Sequence, residues 1–200
     1  MNWLKLAAPA LAALLMAAPA GAQGSGGFDG EKFVQAVRDR DGSEAMDLLR
    51  ERGSTVVNAR DGKGESALIV AILRRDDTWT GFLLDQGADP NLAARNGDTP
   101  LIAASRVGFL GAVAELLERK AKVDAANRMG ETPLIVAVQN RHVAIARLLL
   151  SLGADPDKTD SAAGYSARDY AKRDTRARDI LKLIEAADAE RKAAAKPKIG

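Results

Sequence analysis

The chain has 200 residues, a formal charge of +2, no cysteine and a single histidine. This near-neutral balance gives no general attraction to nucleic acid, and two tryptophans offer too few stacking surfaces for single strands. Without cysteine there are no disulfides, no lipid-attachment cysteine and no cysteine and histidine clusters for a metal. We therefore expect stability to come from packing alone, with no cofactor.

The first 22 residues differ from the rest of the chain. A basic start ending at Lys5 leads into an apolar run, Leu6–Ala18, and then into the small-residue motif Ala20-Gly21-Ala22. This order predicts a signal peptide over residues 1–22 that is cleaved before Gln23. An uncleaved membrane anchor is the alternative, although the run is short for a bilayer span and contains Pro9. The alanine-rich signal resembles those of Gram-negative bacteria, which implies the periplasm.

The glycine-rich stretch 23–30 is expected to form a flexible linker. A first pair of helices is then predicted within residues 31–57 from apolar residues at helical spacing. The side chains expected to face inward in this pair are those of Phe33, Val37, Met46, Leu48 and Leu49.

A short pattern next returns three times at a spacing of 33 residues. Its openings are Ser66-Ala67-Leu68-Ile69-Val70-Ala71, Thr99-Pro100-Leu101-Ile102-Ala103-Ala104 and Thr132-Pro133-Leu134-Ile135-Val136-Ala137. The hydroxyl residue that begins each opening is suited to cap a helix, and a proline in the first turn costs no hydrogen bond. A fixed period of this length predicts stacked helix pairs, each too short to be stable alone.

The last unit is a drifted copy of this pattern. Its opening, Gly164 to Ala171, comes one residue late, and Arg168 stands where the full repeats have leucine, so we expect that face to be solvated. A closing helix over about residues 175–190 is predicted from apolar side chains at helical spacing, namely Ile180, Leu181, Leu183 and Ile184. Residues 191–200 are expected to form a disordered tail.

The repeated units resemble the ankyrin repeat, with its Thr-Pro-Leu-His-x-Ala opening, its Leu-Leu pair and its Gly-Ala-Asp turn, here Gly87-Ala88-Asp89 and Gly153-Ala154-Asp155. The resemblance covers about residues 28–187. It implies an all-α ankyrin-repeat solenoid of helix-turn-helix units, with three full repeats between degenerate caps. The expected domain, residues 31–190, divides into an N-cap (31–57), repeats at 58–90, 91–123 and 124–157, and a C-cap (158–190).

The histidine of the ankyrin opening is replaced in all three repeats, by Ile69, Ile102 and Ile135. In the family this imidazole usually bonds to the backbone of the turns between repeats, which isoleucine cannot do. We therefore predict an apolar seam between the repeats, with about 1.5–3 kcal/mol available from each buried isoleucine. Asp and Asn residues near the turns are expected to bind the turn amides instead.

No arrangement of residues suited to catalysis is found, so we do not expect an enzyme. His142 begins a second helix at a position where ankyrin repeats often carry histidine, which favours a structural role over a catalytic one. Gly62-Lys63-Gly64 lacks the spacing of a phosphate-binding loop. Asp76 and Asp77 lie where a helix should begin, which is typical of capping.

The resemblance also implies where a partner would bind, since ankyrin proteins usually use their hairpin tips and the exposed side of the first helix of each repeat. The tip candidates are Lys63, Glu65, Arg95, Asn96, Asp98, Arg128, Met129 and Glu131. The helix candidates are Leu73, Arg74, Arg106, Val107, Gln139, Asn140 and Arg173. Along the concave face we expect a basic line formed by Arg38, Arg74, Arg106, Gln139 and Arg173.

Two interpretations of this line are open. Its arginines are ordinary surface side chains paired with nearby carboxylates, or they bind an acidic segment of a protein partner. The sequence accordingly predicts a monomeric, non-catalytic protein-binding module of the periplasm, without a nucleic-acid partner or stable membrane insertion after signal cleavage. The alternative is an envelope structural or stress-protective protein without a single defined partner.

Overall fold

The computed structural model describes residues 25–195, which form α-helices joined by turns. The helices of this range are α1 (Ser25–Asp39), α2 (Gly42–Arg52), α3 (Ala67–Leu73), α4 (Asp77–Asp85), α5 (Pro100–Val107), α6 (Leu110–Glu118), α7 (Pro133–Gln139), α8 (Val143–Ser151), α9 (Ala167–Arg173) and α10 (Arg178–Ala195). Short 3-10 helices lie at Gly53–Thr55 and Thr175–Ala177. The predicted signal peptide and residues 196–200 of the predicted tail lie outside the described residues.

The helices stack in two rows, as the repeat pattern predicts. Each odd-numbered helix packs against the next helix of the chain to form an antiparallel pair. The odd-numbered helices also pack against one another in order, from α1 to α9, and form an inner row. Helices α4, α6, α8 and α10 form the outer row in the same way. The predicted all-α solenoid is therefore confirmed.

The inner helices begin where the hydroxyl residues of the openings predict. The Ser66 and Thr99 side chains accept hydrogen bonds from the backbone N–H of Ile69 (3.3 Å) and Ile102 (3.2 Å). Thr132 accepts one in the same way, and Pro100 and Pro133 occupy the first turns of α5 and α7. In the outer row Asp76 caps α4. Each cap satisfies an amide that the helix itself leaves free.

The predicted apolar seam is present between the inner helices. Ile69, Ile102 and Ile135 are at most 2% exposed. The predicted replacement for the missing histidine is also confirmed, because the Asp61 carboxylate accepts hydrogen bonds from two amides of its own turn, and the Asn127 side chain does the same one hairpin further on. Side chains at two of the turns thus satisfy backbone amides of those turns.

The N-terminal unit begins earlier than the sequence pattern predicts. Helix α1 starts at Ser25, so the expectation of a flexible linker is wrong for residues 25–30. Gly30 is buried against Ala59, where an added Cβ would lie 2.4 Å from the Ala59 Cβ. Asp29 also forms an ion pair with Arg52 (Oδ2 to Nε, 2.9 Å). Close backbone packing and this ion pair hold the glycine-rich segment in the helix.

One predicted core residue of the N-terminal unit is exposed. Phe33 and Val37 are buried as expected, but Met46 is 36% exposed and Ala45 is buried in its place. Successive residues of a helix point about 100° apart. The inward face of α2 therefore carries Ala45 together with Leu48 and Leu49, which follow it at helical spacing and pack against the core.

The C-terminal unit departs from the predictions at two places. Arg168 is not on a solvated face: its side chain is only 17% exposed and pairs with Asp157 (2.7 Å) and with Asp188 of the closing helix (2.8 Å). Helix α10 also runs to Ala195, so the expected disorder is wrong for residues 191–195. The Arg191 guanidinium donates to the Ala154 carbonyl (2.7 Å), which ties this last part of α10 to the stack.

Candidate partner-binding surface

A groove of about 450 Å³ lies between the hairpin tips and the inner helices at the first two full repeats. Ile69, Ala94 and Ala103 line it, together with several of the residues predicted to meet a partner. These are Lys63, Glu65, Leu73, Arg95, Asn96, Asp98 and Arg128. Two consecutive repeats and the tip of a third thus bring seven of the predicted residues together.

The hairpin tips are held in position by close stacking on one another. Gly97 has a φ of +86°, and a Cβ at this residue would lie 2.7 Å from the backbone nitrogen of Arg128. Only glycine both adopts this conformation readily and permits this approach. The Arg128 amide also donates to the Asn96 carbonyl (3.3 Å). The side chains of Asn96 and Arg128 consequently extend from a tightly packed backbone.

The side chain of Arg106 is held by hydrogen bonds to neighbouring carboxylates of the stack. Its guanidinium bonds to both oxygens of Asp98 (3.2 Å each) and to Glu131 (3.3 Å). The Asn127 amide bridges the same two carboxylates, at 2.7 Å from Asp98 and 2.8 Å from Glu131. Glu131 is only 9% exposed, so it is part of the internal network and not of the accessible tip surface.

The other arginines of the predicted basic line also have partners in the chain. Arg38 pairs with Asp61 and with Glu65 (3.1 Å). Arg74 donates to the Arg38 carbonyl at the end of α1. The guanidinium of Arg173 lies 4.5 Å from the centroid of the Tyr165 ring, within the range of a cation–π contact. The geometry of this line favours the interpretation of arginines that pair with neighbouring groups.

The remaining predicted residues lie away from the groove. Asn140 donates to the Val136 carbonyl of its own helix (2.8 Å), and Val107 packs against the hydrophobic core. Gln139 is partly buried in the last turn of α7. Met129 is 50% exposed at a hairpin tip. The structure therefore divides the predicted surface into a groove, an internal network and a few separate positions.

The tip cations have no carboxylate partner in the described part of the chain, although the Arg95 guanidinium donates to the Gly62 carbonyl (2.9 Å). Among residues 25–195, no carboxylate lies within ion-pairing distance of Lys63, Arg95 or Arg128, and all three are exposed. The carboxylates that line the same groove, Glu65 and Asp98, are already paired with arginines. The charge that the groove offers to a partner is consequently positive.

Sequence reasoning did not identify Ala94 as part of this surface, although a signal for it exists. The residues at 33-residue spacing in the four hairpins are Asp61, Ala94, Asn127 and Asp160. Only Ala94 lacks an oxygen or a nitrogen on its side chain. Comparing the departures from the repeat, as well as its matches, would have pointed to this hairpin.

His142 has the structural role that its position predicts. Its imidazole packs on Gly108, and its Nε2 lies 3.3 Å from the Arg106 carbonyl oxygen. The part of the chain that the structure covers holds no group of three or more His, Cys, Asp and Glu side chains placed to bind a metal ion. In this part, no helix combines the length and the apolar character needed to cross a bilayer.

Comparison with known proteins assigns the family. A sequence profile described as "Ankyrin repeats (3 copies)" matches residues 33–124 and 78–160, which together span more than half of the chain. The chain belongs to the ankyrin-repeat family. The chain is also similar to the ANK repeat-containing protein nipk-1 of Caenorhabditis elegans, at 31% identity over an alignment of 153 residues that covers 68% of this chain. The chain spans only 25% of the length of that relative.

Membership of this family fixes the general role of the repeat domain. Ankyrin repeats indicate a protein–protein interaction module, and ankyrin-repeat proteins are generally non-catalytic. The repeat domain is accordingly a protein–protein interaction module.

Proposed function

We propose that this ankyrin-repeat protein is a non-catalytic, monomeric binding module of the periplasm, which holds an acidic segment of a partner protein in the groove lined by Lys63, Leu73, Arg95 and Arg128. One observation carries the proposal: cations from three successive hairpins line one groove, and none has a carboxylate partner among the described residues. Arginine and lysine side chains in such a position attract and orient carboxylates.

The location in the periplasm rests on the pattern of the first 22 residues, which lie outside the described part of the chain. Expression of the full chain in a Gram-negative host tests it. We expect the mature protein in the periplasmic fraction with Gln23 as its first residue. Recovery of the uncleaved chain with the membranes would support the anchor instead.

The binding surface is tested by cross-linking in intact cells, with a photo-reactive amino acid in place of Met129 at the edge of the tip surface. Reversing two groove cations together, Lys63→Glu and Arg128→Glu, should reduce the yield of cross-linked partner and its sensitivity to salt. The matched control, Arg147→Glu with Arg178→Glu on exposed outer-row positions, makes the same change in net charge and should leave the yield unchanged.

The pattern of cross-linked products also separates this function from its alternative. A single stoichiometric partner supports a binding module, whereas a diffuse ladder of products would indicate an envelope protein without a defined partner. An equal loss of yield in both charge-reversed variants would show that net charge, and not the groove, governs association. Enzyme turnover that disappears in His142→Ala would contradict the non-catalytic role.

A further inference from the structure

The groove coincides with an interruption in a polar pattern that the neighbouring repeats share. Arg38, in the last turn of the inner helix α1, bonds to Asp61 of the next hairpin. Two junctions further on, Arg106 bonds to the carboxylates that the Asn127 amide bridges. The junction between them carries Leu73 in place of the arginine and Ala94 in place of the Asp or Asn. Both positions that form a polar contact at the neighbouring junctions are therefore apolar at this junction.

The groove opens at this junction, beside these two smaller or apolar side chains. Leu73 remains 40% exposed, beside two lining residues that are almost fully buried. Ile69 and Ala103, each 2% exposed, reach the same groove from the inner helices. We call the apolar part of the groove formed by Leu73, Ala94, Ile69 and Ala103 the notch. An exposed leucine beside an open apolar space is suited to contact an apolar side chain.

The chemistry around the notch does not suit a partner's cation. Both oxygens of Asp98 already accept two hydrogen bonds each, from Arg106, Asn96 and Asn127. Lys63, Arg95 and Arg128, the rim cations, have no carboxylate partner among the described residues and would also repel a positive side chain. An apolar side chain in the notch leaves these groups undisturbed, and carboxylates next to it in the partner would face the cations.

We infer that the notch binds one apolar side chain of the partner, and that acidic residues flank this side chain in the partner's sequence and contact Lys63, Arg95 and Arg128. This inference rests on the proposed function, because it takes the groove as the binding surface. It adds what the partner segment must contain: a single apolar anchor between carboxylates. The rim cations select the charge of the segment, and the notch selects its central residue.

Short synthetic peptides test the inference with the mature protein. The first peptide has a central leucine flanked by glutamates, the second replaces the leucine with serine, and the third replaces the glutamates with lysines. Dissociation constants are measured by fluorescence anisotropy. We expect the leucine peptide to bind about tenfold more tightly than the serine peptide, as partial burial of a leucine side chain implies, and the lysine peptide not to bind.

Two substitutions make the notch polar or fill it without changing the net charge of the protein. Leu73→Gln and Ala94→Asn each introduce the residue that a later repeat carries at the same position, Gln139 and Asn127, so both should fold. With either change, the leucine and serine peptides should bind with about equal dissociation constants, so the tenfold preference for leucine is lost. Leu110→Gln is the matched control, because Leu110 is a 41% exposed leucine of α6 outside the groove, and it should keep the full preference.

The outcomes separate this inference from the function on which it rests. Equal binding of the leucine and serine peptides, with no binding of the lysine peptide, would overturn the anchor but leave the acidic partner standing. A leucine preference that survives Leu73→Gln and Ala94→Asn would overturn the notch as its location. Tight binding of the lysine peptide, or no binding of any peptide, would overturn both proposals.

Discussion

Arg106 Nη2 lies 3.3 Å from Glu131 Oε2, across the junction between two consecutive repeats. The same guanidinium binds Asp98 of its own repeat, so one side chain joins two hairpins. The Glu131 carboxylate is almost withdrawn from solvent and depends on Arg106 and Asn127 for its hydrogen bonds. This contact joins the two consecutive repeats through their hairpins.

A double-mutant cycle on this pair should reveal a favourable coupling. Arg106→Met keeps a long side chain but removes the cation, and should lower the free energy of unfolding because it leaves a buried carboxylate with one partner fewer. In the Glu131→Gln background the same change should cost less. We expect a coupling of about 0.5–1 kcal/mol, since Arg106 is partly exposed. Urea unfolding of the four proteins measures it, and additive effects would contradict the contact.

The stacking of hairpin tips predicts a difference between two glycines with nearly equal backbone angles. Gly97 (φ +86°) and Gly87 (φ +88°) both lie in the left-handed region, where alanine is strained. An added Cβ at Gly97 meets the Arg128 backbone at 2.7 Å, whereas one at Gly87 meets no atom within 4 Å. Both changes to alanine should destabilise the protein, and Gly97→Ala should cost at least about 1 kcal/mol more.

Thermal and urea unfolding of the two glycine variants check this difference. Gly87→Ala serves as the control for backbone strain alone. Equal losses of stability would mean that the hairpins tolerate separation and that their close stacking contributes little.

The repeated part of this fold could be predicted from the sequence because each repeat gives independent evidence for the same helix caps and the same buried positions. Thr99 and Thr132 cap helices as predicted, and the isoleucines at 69, 102 and 135 are buried as predicted. At the ends of the array the same reasoning had only one example of each unit. Gly30 carries no helical signal, and its burial depends on Ala59, which lies 29 residues further along the chain.

The candidate site was predictable in position but not in detail. The hairpin tips were expected at the surface, and Lys63, Arg95 and Arg128 are there. Which arginines lack a carboxylate partner depends on side-chain geometry between repeats, and spacing along the chain does not encode it. The sequence places Arg106 and Arg128 on one surface, yet only the folded stack shows that the first is engaged by carboxylates.

The end of α10 should contribute measurably to stability through a single hydrogen bond. The Arg191 guanidinium donates to the Ala154 carbonyl (2.7 Å) in the turn after α8. Arg191→Met should lower the free energy of unfolding by about 1 kcal/mol, because the carbonyl loses its charged donor. Lys192→Met, at the exposed neighbouring position, is the control and should change it by less than about 0.5 kcal/mol. Urea midpoints that do not differ would contradict a structural role for Arg191.

The C-cap concentrates carboxylates whose pKa values are below their usual range. The hydrogen bond with Arg168 is the main reason that the pKa of Asp157 is lowered. The hydrogen bond with the Ser166 hydroxyl does the same for the pKa of Asp169. Protonation of such groups weakens the folded state, so as the pH falls below the usual aspartate value of about 3.9 the protection of backbone amides against hydrogen exchange should be lost first in this cap.

Asp160 provides the sharpest test of this acid sensitivity. Burial by itself raises its pKa, but the Tyr170 hydroxyl (2.5 Å) and three backbone amides donate to the carboxylate, and the net pKa is lowered. A lowered folded-state pKa adds stability that is complete above the unfolded value of about 3.9 and is lost as the pH falls through the folded value.

Asp160→Asn should therefore cost about 1–2 kcal/mol at neutral pH, with a cost that shrinks as the pH falls from about 5 to about 2. Tyr170→Phe should raise the pKa of Asp160, as followed by NMR titration of its carboxyl carbon, and should move the loss of stability to higher pH. A cost of Asp160→Asn that stays constant over this pH range would contradict the assignment.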